Sequence, residues 1–106
     1  MNFNNLVLPS ELYAWIQNNN DFQLIDITEN HLLGNSKVNH NWIPAFEIME
    51  RINEISTLLP VVICCRVGAD SFTVMNLLLK QFGFTNIYSL KSGFEGYIEF
   101  VNGKES

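Results

Sequence analysis

The feature that most constrains the fold is an uncharged apolar run at residues 59–64, which is followed directly by Cys65. A run of this kind, rich in β-branched side chains, is typical of a strand buried on both faces of a parallel sheet. A short loop containing Gly68 comes next, and apolar residues then recur at helical spacing from Phe72 to Phe82. This order predicts an α/β fold in which Cys65 lies beyond the carboxyl end of a central strand, where ligands of such sheets bind.

Hydrophobic periodicity and turn residues predict further elements on both sides of this unit. They are a helix over Pro9–Gln17, a strand over residues 22–27, a helix over residues 43–59, whole or broken in two, a strand over residues 86–90 and a helix over residues 94–100. Residues 28–42 have mixed polarity and are predicted to be irregular, and Gly83 is expected to end the preceding helix with a left-handed cap. Strands separated by helices indicate a single α/β domain over residues 1–106 with a mostly parallel sheet.

Charge and hydropathy argue against several classes of partner. The formal net charge is −5 and the chain has only six Lys and Arg residues, so nothing in it resembles a surface for nucleic acid or anionic lipid. No stretch approaches the ~20 apolar residues of a membrane-spanning helix. Residues 1–5 also lack the basic and apolar segments of a secretory signal. We therefore expect a cytoplasmic protein that contacts neither nucleic acid nor membranes.

The two cysteines, Cys64 and Cys65, are adjacent, so a bond between them would be strained and would contribute little to stability. A reduced compartment is expected instead. Strand alternation places Cys64 in the core, opposite to its neighbour. Cys65, between a strand and a helix start, can receive loop N–H groups and the positive end of the helix dipole. These favour a thiolate nucleophile, whereas the simpler interpretation is an inert buried thiol.

Residues 65–71, Cys-Arg-Val-Gly-Ala-Asp-Ser, resemble the active-site loop of the rhodanese family, which often reads Cys-Arg-Ser-Gly-x-Arg-Ser. The resemblance extends to Leu-Ile-Asp-Ile at residues 24–27, to Trp-Ile-Pro at residues 42–44 and to residues 83–93. In order and spacing it covers nearly the whole chain. It implies a rhodanese-like three-layer fold, with a central, mostly parallel, five-stranded sheet flanked by helices on both faces.

The same resemblance implies a sulfurtransferase or persulfide carrier that needs no metal and no organic cofactor. Cys65 would take sulfane sulfur from a small donor and pass it to a small acceptor or to the thiol of a partner protein. The loop supplies the candidate substrate-binding residues, which are Arg66, Val67, Gly68, Ala69, Asp70 and Ser71. Arg66 is the main candidate for attracting an anionic substrate, although it could also be a solvated residue at the loop rim. Asp26 is expected to support the site by holding neighbouring backbone amides.

Several positions depart from the family pattern. Asp70 stands where Arg is frequent, and its carboxylate would oppose both a thiolate and an anionic donor. Thr28, Ser92 and Tyr97 replace a frequent Arg, Gly and Trp, and residues 34–37 replace a Gly-His-Ile-Pro element. We therefore predict weak activity with thiosulfate. Asp70 could equally be a solvent-facing carboxylate at a helix N-terminus.

Three other functions are alternatives to sulfur transfer. A non-catalytic rhodanese-like binding module would keep the fold while its pocket drifted, and a redox sensor would use Cys64 to resolve an oxidised Cys65. A phosphatase with a Cys-x5-Arg loop would need Arg where this chain has Ser71, which argues against that class. His31 and His40 have no metal-ligand spacing and receive no catalytic role.

Overall fold

The structure is a computed structural model that describes residues 5–105. In chain order its elements are β1 Leu6–Val7, α1 Pro9–Gln17, β2 Gln23–Asp26, β3 Asn41–Trp42, a 3-10 helix Ala45–Glu54, β4 Val61–Cys64, α2 Ala69–Gln81, β5 Ile87–Leu90 and α3 Gly93–Glu105. The five strands form one sheet in the order β1-β5-β4-β2-β3, and all the pairs are parallel. The predicted five-stranded α/β architecture is confirmed. No helix within the described range has the length and apolar character needed to cross a membrane.

Strand alternation divides the core between the two faces of the sheet. On one face, Ile25, Val61 and Ile63 pack against buried residues of α2 and of the 3-10 helix. On the other face, Leu24 and Val62 pack against α1 and α3. The helices therefore cover both faces, which makes the three layers expected from the sequence and leaves β4 buried at every position.

Several elements differ from the prediction. The strands β1 and β3 were not predicted, and β3 lies in the segment expected to be irregular. The helix predicted over residues 43–59, whole or broken in two, is confirmed in its broken form, because the helical segment Ala45–Glu54 has non-helical backbone at Arg51. Its predicted end is wrong, since the helix stops at Glu54. The chain leaves the helix because Ser56 bonds elsewhere. Its N–H donates to Gln23 Oε1 at 2.7 Å, and its hydroxyl accepts the N–H groups of the next turn at 3.1 and 2.9 Å.

The two long helices near the site agree better with the sequence. The helix α2 begins at Ala69 and runs to Gln81, and Gly83 then takes a φ of 72°, which confirms the left-handed stop. The helix α3 begins at Gly93 and is longer than predicted, because it continues past Phe100 to Glu105.

Candidate active site

The loop after β4 brings a cysteine to the carboxyl end of the sheet. Cys65 follows the buried strand, and Gly68 turns the chain into α2 with a φ of 101°, a conformation that other residues rarely adopt. A Cβ added to Gly68 would lie 3.1 Å from the backbone nitrogen of Ser92. Glycine is therefore needed here both for the turn and for the close approach of the segment before α3.

Three hydrogen bonds converge on the sulfur of Cys65. The backbone N–H groups of Gly68 and Ser71 donate to Sγ at 3.1 and 3.3 Å, and the thiol donates to Ser71 Oγ at 3.3 Å. Cys65 is only 3% exposed. Backbone donors held at a helix N-terminus stabilise negative charge, so this loop is suited to a thiolate or to a sulfur atom bonded to it.

A second buried hydroxyl lies behind the first. Ser71 Oγ donates to the carbonyl of Gly68 at 3.2 Å and lies 2.7 Å from Ser89 Oγ on β5. Both serines are buried, and none of the described buried side-chain N or O atoms lacks a hydrogen-bond partner. If Cys65 ionises, the Ser71 hydroxyl can turn to donate to Sγ while Ser89 donates to Ser71. The sequence did not point to Ser89, because its place in the site depends on the register of β5.

The N-terminus of α3 holds the cysteine loop from the other side. The N–H of Phe94 donates to the carbonyl of Cys65 at 2.8 Å, and the N–H of Glu95 donates to the carbonyl of Arg66 at 3.0 Å. Gly93 has a φ of 62°, and a Cβ there would overlap the carbonyl of Arg66. The loop shape therefore depends on a glycine from a distant part of the sequence.

A cleft of about 480 Å³ opens beside Cys65. One wall is the segment after β2, from Ile27 to Leu32, and the other is the cysteine loop itself. The start of the 3-10 helix adds Phe46 at the rim. The cleft is large enough for a ligand much bigger than an inorganic sulfur donor.

Of the predicted loop residues, three reach the cleft with Cys65, and they are Arg66, Val67 and Asp70. Gly68 and Ser71 do not line the cleft, and their N–H groups instead donate to the sulfur. Ala69 does not line the cleft and is exposed at the first position of α2. The structure therefore separates residues that could touch a ligand from residues that hold the sulfur.

The charges around the cleft are mostly negative. Glu29 and Asp70 are exposed and line it, and Arg66 is its one cationic lining residue among those described. The guanidinium of Arg66 lies 3.4 Å from the carboxylate of Glu95. An anionic ligand would therefore compete with Glu95 for Arg66 and would meet two further carboxylates.

Asp26 holds the wall formed by the segment after β2. It is fully buried, and its Oδ1 accepts the N–H of Thr28 at 2.9 Å and the Thr28 hydroxyl at 2.7 Å. Its Oδ2 accepts the N–H of Leu33 at 2.8 Å. The carboxylate thus closes the turn from residue 28 to residue 33, which shapes one side of the cleft.

The structure also brings together two histidines that the sequence left unconnected. The Nε2 atoms of His31 and His40 lie 3.0 Å apart, at hydrogen-bond distance. The ring of His31 stacks on Trp42, whose indole N–H donates to the carbonyl of Thr28 at 2.7 Å. These contacts tie the cleft wall to β3. Within residues 5–105 no group of three or more His, Cys, Asp or Glu side chains is arranged to hold a metal ion.

Cys64 points away from Cys65 and packs in the opposite half of the core. Both cysteines are free thiols. Burial, and to a smaller degree the nearby Asp26 carboxylate, raises the pKa of Cys64 well above its usual range. Cys64 therefore stays protonated under conditions where an accessible thiol would react.

Comparison with known proteins points to one family. Residues 8–100 match the family model of the rhodanese-like domain. The adenylyltransferase and sulfurtransferase UBA4 of Candida glabrata is 33% identical across 78% of this chain, which spans 22% of that relative. The uncharacterised protein YqhL of Bacillus subtilis is 38% identical across 78% of this chain, which spans 66% of it.

The fold also matches solved structures. The crystal structure of a rhodanese-related protein from Thermoplasma volcanium superposes with a TM-score of 0.74 at 24% identity. The superposition covers 89% of this chain and 90% of that one. The likeness in structure therefore extends over almost all of both chains.

Proposed function

This chain belongs to the rhodanese-like domain family, which includes sulfurtransferases, and on that premise we propose that it carries sulfane sulfur on Cys65. The activity would be that of a sulfurtransferase or persulfide carrier. The donor or acceptor would be a small sulfur compound or the thiol of a partner protein, and no nucleic acid or membrane would be involved. Two buried free thiols suit a reducing compartment such as the cytoplasm.

The observation that carries the proposal is the pair of backbone N–H groups directed at one sulfur atom. Gly68 and Ser71 donate to Sγ at 3.1 and 3.3 Å, where a buried but otherwise inert thiol would need no such donors. The same donors can hold the negative charge of a thiolate and, after sulfur transfer, the charge of a persulfide. The cleft gives this sulfur a route to a ligand.

The reaction would run in two balanced steps. The Cys65 thiolate attacks the outer sulfur of the donor and forms a new S–S bond. The donor's own S–S bond breaks, and the rest of the donor leaves as a thiolate, or as sulfite when the donor is thiosulfate. An acceptor thiolate then attacks the outer sulfur of the Cys65 persulfide and leaves as a persulfide. Cys65 returns to the thiolate, so no external oxidant or reductant is needed.

The proposal is tested by intact mass after the reduced protein is exposed to a small organic persulfide or to thiosulfate. We expect the wild type to gain one sulfur atom, about 32 Da, and to lose it on addition of dithiothreitol. Cys65→Ser should gain nothing. Cys64→Ala is the matched control, because it removes the neighbouring thiol, which packs on the other side of the sheet.

Two results would contradict the proposal. The first is a folded wild type that gains no sulfur from any donor, which would favour a non-catalytic binding module. The second is a sulfur gain that survives in Cys65→Ser and disappears in Cys64→Ala. An oxidised form that reductant removes, that contains no added sulfur and that requires Cys64 would instead indicate a redox sensor.

A further inference from the structure

The size of the cleft is the first indication of its ligand. It has a volume of about 480 Å³. A water molecule takes up about 30 Å³ of liquid, and a thiosulfate ion is equivalent to only a few waters, so such an ion would leave most of the cleft unfilled. A ligand that fills the cleft must carry a substituent of several atoms next to its sulfur atom.

The side chains at the rim of the cleft indicate the chemical character of that substituent. Phe46, on the 3-10 helix, is 72% exposed, and Val67, in the cysteine loop, is 56% exposed. Both side chains line the cleft that contains Cys65. Large apolar side chains gain about 25 cal/mol for each Å² that a ligand removes from water. An apolar group beside the reacting sulfur would bury both.

The charge of the cleft limits the ligand further. Glu29 and Asp70 line it and are exposed, while the guanidinium of Arg66 lies 3.4 Å from Glu95. A negatively charged ligand would be repelled by two carboxylates and would share Arg66 with a third. A neutral or cationic ligand meets no such barrier.

We infer that this cleft selects thiols and persulfides that are uncharged or cationic and carry an apolar group next to the sulfur. Phe46 supplies the apolar contact, and Glu29 with Asp70 disfavours anions. This inference rests on the proposed function, because it names the substrate class of the Cys65 persulfide. It adds residues outside the cysteine loop, Phe46 and Glu29, as determinants of specificity.

The inference is tested by preparing the Cys65 persulfide and following sulfur transfer to four thiols by mass. The acceptors are mercaptoethanesulfonate, mercaptoethanol, cysteamine and benzyl mercaptan, which cover anionic, neutral, cationic and apolar chemistry. Each rate is divided by the rate of the same thiol with a small free persulfide, which removes differences in nucleophilicity. We expect the normalised rate to be highest for benzyl mercaptan and lowest for mercaptoethanesulfonate. Mercaptoethanol and cysteamine should lie between them, about tenfold from either extreme.

Substitutions in the cleft test which residues cause the preference among the four thiols. Glu29→Gln combined with Asp70→Asn should raise the normalised rate of mercaptoethanesulfonate by about tenfold and lower that of cysteamine. Phe46→Ala should slow benzyl mercaptan by about tenfold and leave mercaptoethanol unchanged. Asp21→Asn is the matched control, because it removes one exposed charge just before β2, at the opposite end of the sheet from Cys65.

The outcomes separate this inference from the proposed function. If no persulfide forms on Cys65, both fail. If the persulfide forms and all four thiols react at the same normalised rate, or the sulfonate reacts fastest, the inference alone is overturned. A change in Asp21→Asn equal to that in the cleft variants would also overturn it, because the preference would then follow net charge.

Discussion

At Cys65 the hydroxyl of Ser71 is the one side-chain group bonded to the sulfur in the described structure, since the other donors are backbone N–H groups. Ser71→Ala keeps the backbone donor but removes the hydroxyl that can turn towards a thiolate. A hydrogen bond of this kind contributes about 1 kcal/mol, which is roughly a fivefold to tenfold change in rate. We expect persulfide formation to slow by that factor, measured as the rate of mass gain.

Thr73→Ala is the matched control for Ser71→Ala. The Thr73 hydroxyl donates to the carbonyl of Ala69 at 3.2 Å on the exposed side of the same helix. Its loss should leave the rate unchanged. Ser71→Ala reacting as fast as Thr73→Ala would show that the two backbone N–H groups are sufficient and that the Ser71–Ser89 pair serves packing alone.

The neighbouring thiol makes a prediction about pH. Burial raises the pKa of Cys64 in the folded state, whereas an unfolded cysteine titrates near about 8.5. Above that pH the Cys64 thiol loses its proton in the unfolded chain but keeps it in the folded one. The stabilising contribution of Cys64 is therefore full below about pH 8.5 and declines as pH rises, by at most about 1.4 kcal/mol per pH unit. Denaturant unfolding of the wild type and of Cys64→Ala, in reductant and over a range of pH, measures this contribution to the free energy of unfolding.

We expect wild type to be the more stable protein at neutral pH, because alanine leaves a small cavity in a fully buried position. The difference in free energy of unfolding should be constant up to about pH 8 and then narrow. A difference that stays constant to about pH 10 would mean that Cys64 ionises without penalty in the folded protein.

At the scale of the elements, the turn into α3 is as important to the site as the loop that carries the cysteine. Gly93→Ala would place a methyl group against the carbonyl of Arg66 in a residue with a φ of 62°. We expect a loss of stability above the ~1–2 kcal/mol of a left-handed alanine, and slower persulfide formation because the loop must shift. Denaturant unfolding and the rate of mass gain measure the two effects.

Gly83→Ala separates the backbone cost from the overlap. Gly83 has a φ of 72°, but a Cβ there meets no atom within 4 Å. This variant should lose about 1–2 kcal/mol and keep the wild-type rate of persulfide formation. Equal effects of the two substitutions would mean that the contact between α3 and the cysteine loop is not needed for the reaction.

The elements with strong periodicity could be predicted from the sequence, and the short ones could not. The helix Pro9–Gln17 agrees at both ends, and β2, β4 and β5 agree within two residues. The strands β1 and β3 have two residues each, too few for any hydrophobic period. They are strands only because they pair with β5 and β2, which is a property of the assembled sheet.

The site divides in the same way. Residues close to Cys65 in sequence, such as Gly68 and Ser71, could be predicted from the resemblance of one loop. Ser89 and Glu95 could not, because each reaches the site through the register of β5 and the start of α3. Phe46 could not either, since its place at the rim depends on how the 3-10 helix packs on the sheet.

For the whole molecule, parallel strands explain why the site is assembled at one edge. The carboxyl ends of β2, β4 and β5 bring together Asp26, Cys65 and the turn at Gly93, which are far apart in sequence. Each holds a different part of the site: one wall of the cleft, the sulfur, and the back of the loop. A change in any one of these strand ends is therefore expected to affect the others.

Net charge makes a prediction that belongs to the molecule as a whole. The protein carries a formal charge of −5, and thiosulfate is a dianion, so the two repel at long range. Salt screens this repulsion over a Debye length of about 10 Å at 0.1 M. We expect persulfide formation from thiosulfate to become severalfold faster between about 0.01 and about 0.2 M sodium chloride, measured by mass.

Alkylation of Cys65 by iodoacetamide is the control, because this reagent is uncharged and its rate should not follow the screening. The direction of the salt effect also tests how the charges are arranged. If thiosulfate reacted more slowly as salt rose, Arg66 would be drawing the anion in despite Glu95 and the negative surface around it. Faster reaction with salt means instead that the field of the whole chain, together with Glu29 and Asp70, governs which sulfur donors reach Cys65.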